Sequence, residues 1–140
     1  MSQSISQFFA ALGAPLSNVR WSWGAIRPTD GAVFLRVWAD EAKKIDGFWY
    51  TQLSFHQYFR MRGDTPGYSE RLQHIEKIRI GAPAYLVLCR AVDPNVDPRV
   101  IEHFDDRDIF VGGELREIDG DSWIQRASRQ PAAAQRLPKG

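Results

Sequence analysis

The run Ala84-Tyr85-Leu86-Val87-Leu88-Cys89-Arg90-Ala91-Val92 decides the fold of this chain. Only one of its residues is charged, most are aliphatic, and Pro83 and Asp93-Pro94 bound it on the two sides. A short apolar run between turn signals is typical of a fully buried strand. We therefore predict a buried strand here and assign the other elements outward from it.

Strand-like segments lie on both sides of this run, and most are rich in aromatic and β-branched residues. They are residues 20–26, 32–39, 48–53, 109–118 and 122–127. Turns at 28–31 and 43–47 separate the first three segments, which predicts an antiparallel meander. Asp119-Gly120 joins the last two as a hairpin, and Gly112-Gly113 predicts a bulge or a bend inside it.

Helical spacing is clearest at residues 4–12, where the apolar residues recur every three or four positions. Residues 69–77 predict a second helix with Ser69 as its cap, residues 54–66 show weaker helical spacing, and residues 99–104 predict a helical turn. About six strands with two to three helices indicate an α+β fold. We expect a curved, barrel-like and mostly antiparallel sheet with the helices at its side.

Length and composition are those of one soluble domain. The chain has 140 residues, of which 44% are hydrophobic and 25% are charged. We expect the domain to span residues 1–128 and residues 129–140 to form a flexible tail or linker, because that end is rich in alanine and proline. The single Cys89 excludes an internal disulfide. The sequence shows neither a signal peptide nor the about 20 apolar residues of a membrane span, which predicts a cytoplasmic protein without membrane contact.

The patterns that mark catalytic and metal sites are missing from the sequence. His56, His74 and His103 are scattered, and none of them forms the helical pair of a zinc motif. The acidic run at residues 105–108 is typical of solvated turn carboxylates. No G-x-S-x-G motif and no glycine-rich phosphate loop occurs. We therefore expect no catalytic residue, no metal and no cofactor.

Aromatic and basic residues come together in the stretch Asn18-Val19-Arg20-Trp21-Ser22-Trp23-Gly24. If this stretch is extended, Trp21 and Trp23 share one face of a sheet and form a flat surface. Such a surface either fills a core or stacks on a planar ligand, and stacking on a nucleic-acid base contributes about 1–3 kcal/mol. Core packing stays the alternative for each tryptophan singly. We expect at least one of the two indoles to face a pocket.

These residues predict a pocket for a base extruded from a nucleic acid, with arginines at the phosphates. The candidate pocket residues are Asn18, Trp21, Ser22, Trp23, Trp38 and Trp49. In this hypothesis Trp21, Trp23 and either Trp38 or Trp49 stack on the base, while the amide and hydroxyl groups read its edge. The candidate phosphate contacts are Arg20, Arg36, Arg60 and Arg62.

The order of elements resembles that of the PUA-like superfamily, which includes the EVE, YTH, ASCH and SRA domains. Ile78-Arg79-Ile80-Gly81 leading into residues 84–88 is similar to the EVE-type segment in which a glycine precedes a core barrel strand. Residues 18–25, followed by 33–38, are similar to the N-terminal reader domains of bacterial HNH-type modification-dependent restriction proteins. The likeness covers residues 15–128. The EVE-type signature near the first strand is absent, and no HNH motif follows.

The resemblance implies a small β-barrel and a non-enzymatic module that reads a modified, flipped base in DNA, or in RNA. It also implies a nuclease partner, because this chain carries no nuclease motif. Two other functions stay open. A small ASCH-type hydrolase acting on a modified nucleoside would need Lys43, Lys44 or Lys77 beside a carboxylate. A protein-interaction module would use the segment 91–121, which has ten acidic residues and three basic ones.

Overall fold

The computed structural model describes residues 4–63, 65–93, 95 and 101–135. Within them the helices are α1 (Ile5–Ala11), α2 (His56–Arg62) and α3 (Pro66–Arg79). The strands are β1 (Gly24–Ile26), β2 (Val33–Trp38), β3 (Ala42–Ile45), β4 (Phe48–Gln52), β5 (Ala84–Ala91), β6 (Ile101–Phe104), β7 (Asp108–Ile118) and β8 (Asp121–Pro131). A 3₁₀ helix covers Ala132–Gln135.

All eight strands belong to one mixed sheet. Seven of them follow the order β1-β2-β5-β7-β8-β4-β3, and β6 lies off this path and pairs with β5. The pair β2–β5 is parallel and the other pairs are antiparallel. The predicted α+β class and the mostly antiparallel sheet are therefore confirmed. The sheet has eight strands where about six were expected, and it is not closed into a barrel.

The predicted buried strand is β5, and its two faces pack against different helices. Leu86 joins one core cluster, which includes Leu35 of β2 and Ile75 of α3. Val87 points to the other face and joins a cluster that includes Phe8 and Phe34. Because side chains alternate along a strand, a run that is apolar at every position can fill both cores.

The predicted first helix is confirmed, and the second predicted helix begins earlier than expected. Ser4 caps α1, since its hydroxyl accepts a hydrogen bond from the Gln7 N–H at 3.2 Å and the Gln7 side chain accepts one from the Ser4 N–H at 2.9 Å. The cap of α3 is Thr65, whose hydroxyl accepts from the Tyr68 N–H at 3.2 Å. Pro66 then occupies the first helical position, where its missing N–H costs nothing.

Several local predictions are wrong. The segments at 20–26, 32–39 and 48–53 do not form one antiparallel meander, because β2 pairs with β1 and β5 and not with β4. Residues 101–104, expected in a helical turn, form β6, because their backbone pairs with β5; residues 99 and 100 lie outside the described part. The turn expected at 43–47 is shorter. Residues 42–45 form β3, and only Asp46-Gly47 turns the chain, with φ angles of 52° and 86° that suit a tight hairpin.

The predicted tail at 129–140 begins too early. Strand β8 continues to Pro131 because β7 is long enough to pair with it, and the 3₁₀ helix follows directly. Ala132 is small enough to be buried in the α1 core, and the Arg27 guanidinium donates to the Gln135 carbonyl oxygen at 2.9 Å. The ordered domain thus includes residues 129–135. Residues 136–140 lie outside the described part.

Two arginine side chains bridge β2 and β4, each of which lies one strand in from an edge of the sheet. Arg71 of α3 donates to the carbonyl oxygens of Arg36 in β2 and of Leu53 just after β4. Arg126 of β8 donates to the hydroxyl of Thr51 in β4 and to the carbonyl oxygen of Ala39 just after β2. Strands β2 and β4 are therefore close in space although three strands separate them in the sheet. We call this junction the seam, and the face that contacts α3 the concave face.

None of the helices in the described ranges is long and apolar enough to cross a membrane.

Candidate functional site

Of the segment 20–26 that was expected to be extended, only residues 24–26 form a strand, and the stretch 18–23 forms a compact turn. The Ser22 N–H donates to the Asn18 carbonyl oxygen at 2.9 Å, and the Ser22 hydroxyl accepts from the Asn18 N–H at 3.0 Å. The Asn18 side-chain oxygen accepts from the Arg20 N–H at 2.9 Å. Short polar side chains compete with sheet pairing by bonding nearby backbone groups, so β1 begins only at Gly24. Trp21 and Trp23 therefore do not lie on one face of a strand.

Trp23 packs into an aromatic cluster between the turn and the helices. Its ring centroid lies 5.8 Å from that of Phe59 and 5.9 Å from that of Tyr68, and the latter two rings stack at 4.0 Å. Gly67 admits the indole, since a Cβ there would lie 2.6 Å from the Trp23 Nε1. Trp21 is 36% exposed. That Trp21 or Trp23 faces a ligand pocket stays a prediction.

The side chains of Ser22 and Asn18, which were expected to bind the edge of the base, form hydrogen bonds within the protein. The Ser22 hydroxyl is fully buried and lies 3.0 Å from the Ser17 hydroxyl. Ser17 in turn donates to the Glu70 carboxylate on α3. The Asn18 side-chain oxygen is occupied by the turn itself. These bonds fasten the turn to α3.

Trp38 and Trp49 lie on other elements than the turn. Trp38 ends β2 on the face of Phe34, and Trp49 is in β4 on the face of Thr51. No ring contact between described residues joins either of them to Trp21 or Trp23. Trp49 is 48% exposed, the most of these four tryptophans. The structure thus groups Asn18 and residues 21–23 at one corner and does not bring the two other tryptophans to it.

The predicted phosphate contacts are spread over three elements. Arg20 is exposed on the turn and Arg60 is exposed on α2, while the side chain of Arg62 lies outside the described part. Arg36 of β2 is half-buried, and burial lowers the pKa of its guanidinium. Among the described residues none accepts a hydrogen bond from that guanidinium.

Two arginines that the sequence did not single out converge on one phenylalanine. The guanidinium carbon of Arg126 lies 5.7 Å from the Phe110 ring centroid, and that of Arg129 lies 5.1 Å from it. Arg129 pairs with Phe110 and Arg126 pairs with Gly112, because Ala127 is an extra residue at a bulge. The bulge places two arginines three residues apart on the same face. A regular strand would place them on opposite faces, so simple alternation hides the pair.

Neutral groups, rather than a carboxylate, hold Arg126. Its Nε donates to the Thr51 hydroxyl at 2.7 Å, and its Nη2 donates to the Ala39 carbonyl oxygen at 3.1 Å. Burial lowers the pKa of Arg126, and the nearby charge of Arg90 lowers it further. Arg129 reaches the Asp108 carboxylate only at 4.0 Å. The surroundings of Phe110 therefore carry a surplus of positive charge.

Trp49 lies beside Arg126 on the concave face. The backbone pairing of β4 with β8 ends at the pair Tyr50–Gln125. Trp49 comes next on β4, and Arg126 comes next on β8. Lys44 of β3 is paired directly with Trp49. Residues paired across antiparallel strands point to the same side of the sheet. Lys44, Trp49 and Arg126 therefore form a row across three neighbouring strands, which we call the cationic row.

The residues behind the two alternative functions occupy ordinary surroundings. The Lys43 ammonium lies 4.9 Å from the Trp123 ring centroid, Lys44 is in the cationic row and Lys77 is exposed on α3. In the part of the chain that the structure describes, none of the three lysines forms an ion pair with a carboxylate. In the acidic segment, the Asp105 carboxylate accepts from the N–H groups of Arg107 and Asp108 at 3.0 Å and so shapes a turn.

A cavity of about 510 Å³ lies between the end of α3 and the bulged part of β7. Small and aliphatic residues make up much of its wall, together with Arg79 and Arg116. Arg79 pairs with Glu76, and Arg116 pairs with Glu114 at 2.7 Å. Because both charges are already balanced, the cavity offers an incoming ligand little electrostatic attraction.

No protein-family model, no curated protein and no solved structure matches this chain.

Proposed function

We propose that this protein is a non-enzymatic nucleic-acid-binding module that stacks one base on Trp49. The observation that carries the proposal is the cationic row, in which an indole that is 48% exposed lies between Lys44 and Arg126. The flat indole offers a base its face, and the flanking cations offer the phosphates a counter-charge. Both parts of a nucleotide therefore find a complementary group within one row.

The cationic row suits this role better than the corner at residues 18–23. There Trp23 is packed against Phe59 and Tyr68, and Ser22 is fully buried. Stacking requires an exposed indole, and Trp49 is the most exposed of the candidate tryptophans. Phe48, the next residue, is also 47% exposed, so this end of the hairpin offers a second aromatic group on its other face.

The finer part of the proposal is that the base is a modified one, flipped out of DNA, as the resemblance to PUA-like readers implies. The partner that we propose for a role in restriction is a nuclease, as the resemblance of residues 18–25 and 33–38 to the reader domains of restriction proteins implies.

The test is a binding titration at low salt that compares the two exposed tryptophans. Fluorescein-labelled oligonucleotides, single-stranded and duplex, with cytosine or 5-methylcytosine at one position, are titrated with wild type, Trp49→Ala and Trp21→Ala. Loss of a stacking partner worth about 1–3 kcal/mol should weaken binding by Trp49→Ala about 5- to 150-fold. Trp21→Ala should bind like wild type.

The same titration contains the contradicting results. A chain that binds none of these oligonucleotides at 50 mM salt is not a nucleic-acid-binding module. If Trp21→Ala loses binding and Trp49→Ala keeps it, the site is the corner at 18–23 and not the cationic row. Equal affinity for both bases would remove the finer claim of a modified base.

A further inference from the structure

Arg126 is oriented firmly but is not neutralised. Its two protein partners are the Thr51 hydroxyl and the Ala39 carbonyl oxygen, both uncharged. Thr51 is fully buried, and Ala39 lies where β2 has just ended, so the two acceptors fix the guanidinium on the seam. A charged group that is partly desolvated and lacks a carboxylate gains more from an anion than a solvated one does.

The bonds of Arg126 leave a set of donors unused. A guanidinium has five N–H groups, and the contacts to Thr51 and Ala39 use one on Nε and one on Nη2. Three remain, two of them on Nη1. A planar guanidinium with free N–H groups on its terminal nitrogens matches the spacing of two oxygens of a phosphate.

The neighbouring charges favour a phosphate. Arg129 approaches the same Phe110 ring from its own strand, and Arg90 is close enough for its charge to act on Arg126. Asp108, at 4.0 Å from Arg129, is the carboxylate paired with this group among the described residues. The three arginines and Asp108 together carry a net charge of about +2, which a single carboxylate ligand would not balance. A phosphate carries more negative charge and has enough oxygens to bind more than one arginine.

We propose that the free N–H groups of Arg126 form a preorganised phosphate site, and that this site holds the phosphate next to the base stacked on Trp49. This inference rests on the proposed function and names the contact that orients the nucleic acid. The phosphate could belong to a nucleic-acid backbone or be free in solution, and the two sources are separated below.

The test changes the arginine and the phosphate separately. Binding of a single-stranded oligonucleotide is measured for wild type and for Arg126→Lys, which keeps the charge and loses the planar group. Arg79→Lys is the matched control, since Arg79 is exposed, paired with Glu76 and located at the cavity below α3. We expect about tenfold weaker binding for Arg126→Lys and no more than a twofold change for the control.

A change in the ligand guards against a folding defect in the variant. One backbone phosphate at a time is replaced by an uncharged methylphosphonate. In wild type, replacement of the phosphate beside the stacked base should weaken binding about tenfold, and in Arg126→Lys it should have little further effect, because the pair is already broken. Additive effects of the two changes, or an oligonucleotide that binds Arg126→Lys as well as wild type, would overturn the phosphate site and leave the proposed function standing.

Inorganic phosphate alone distinguishes the other source. It is titrated into wild type and Arg126→Lys while amide shifts are followed by NMR. Binding of inorganic phosphate that disappears in Arg126→Lys, without any oligonucleotide binding, supports the site and overturns the proposed function. Binding of neither ligand to wild type overturns both.

Discussion

Arg27 and Gln135, 108 positions apart in the sequence, are joined by two hydrogen bonds. The Arg27 Nη1 donates to the Gln135 carbonyl oxygen at 2.9 Å, and its Nη2 donates to the side-chain oxygen at 3.0 Å. Arg27 also donates to the Leu12 carbonyl oxygen at 3.2 Å. One buried guanidinium therefore connects the loop after α1, the turn before β2 and the 3₁₀ helix.

Replacing Arg27 by methionine should lower the free energy of unfolding by about 2–4 kcal/mol, because buried carbonyl groups lose their donor. Chemical denaturation followed by tryptophan fluorescence measures the loss. Arg107→Met, at an exposed position, is the control and should change stability by less than about 0.5 kcal/mol. If residues 132–135 were only a tail, deletion of these residues would leave the stability unchanged.

The same arginine makes stability depend on acid through Asp30. The hydrogen bond from Arg27, together with one from the Ala32 N–H, lowers the pKa of Asp30 from 3.8 to about 2. A carboxyl whose pKa is lower in the folded state stabilises the fold above its unfolded pKa, and this contribution is lost as the pH falls from about 4 towards 2. Asp30→Asn should therefore flatten the decline in stability over this range, as measured by urea denaturation at successive pH values. An unchanged slope would exclude Asp30 as the titrating group.

Arg71 should be more costly to replace than any exposed arginine. It donates to the Leu53 carbonyl oxygen at 3.0 Å, to that of Trp23 at 3.3 Å and to that of Arg36. Arg71→Met fills similar space but leaves three acceptors without this donor, which we expect to lower the free energy of unfolding by about 2–4 kcal/mol. Equilibrium denaturation measures it, with Arg60→Met as the exposed control on α2. A stable, fully folded Arg71→Met protein would show that the seam holds without the guanidinium.

Gly67→Ala should destabilise the protein although alanine favours helices. In an open helix this change stabilises by about 0.5–1 kcal/mol. Here the new Cβ would lie 2.5 Å from the Trp21 carbonyl oxygen and 2.6 Å from the Trp23 Nε1, so the turn at 18–23 must move. We expect a loss of about 1–3 kcal/mol together with a shift in tryptophan emission. Ser69→Ala, exposed on the same helix, should leave both unchanged.

The hydrophobic pattern of the sequence could predict those elements whose conformation follows from their own side chains. Residues 84–92 contain apolar side chains for two cores, and the Asp119-Gly120 turn has the φ angles of 51° and 86° that a two-residue hairpin needs. The helix at α1 follows from its apolar spacing and its cap.

What the sequence could not predict depends on hydrogen-bond competition and on register. The turn at 18–23 looked extended because its tryptophans alternate, but the side chains of Asn18 and Ser22 satisfy the local backbone first. The parallel pairing of β2 with β5 joins residues about fifty positions apart and leaves no local signal. The Arg126–Phe110–Arg129 group exists only because Ala127 is bulged, and alternation assumes that no residue is extra.

The seam makes this sheet open differently from a closed barrel. Two strands joined by backbone hydrogen bonds are held by many equivalent bonds, and no single side chain determines whether they stay paired. Here the contacts between β2 and β4 pass through the guanidinium groups of two arginines, each of which bonds both sides. Each of the two arginines can therefore be removed by one substitution that weakens the link between β2 and β4 while every strand keeps its own partners. An anion bound to the free N–H groups of Arg126 would share the guanidinium that also links the strands, so ligand binding and the contact between β2 and β4 depend on one residue.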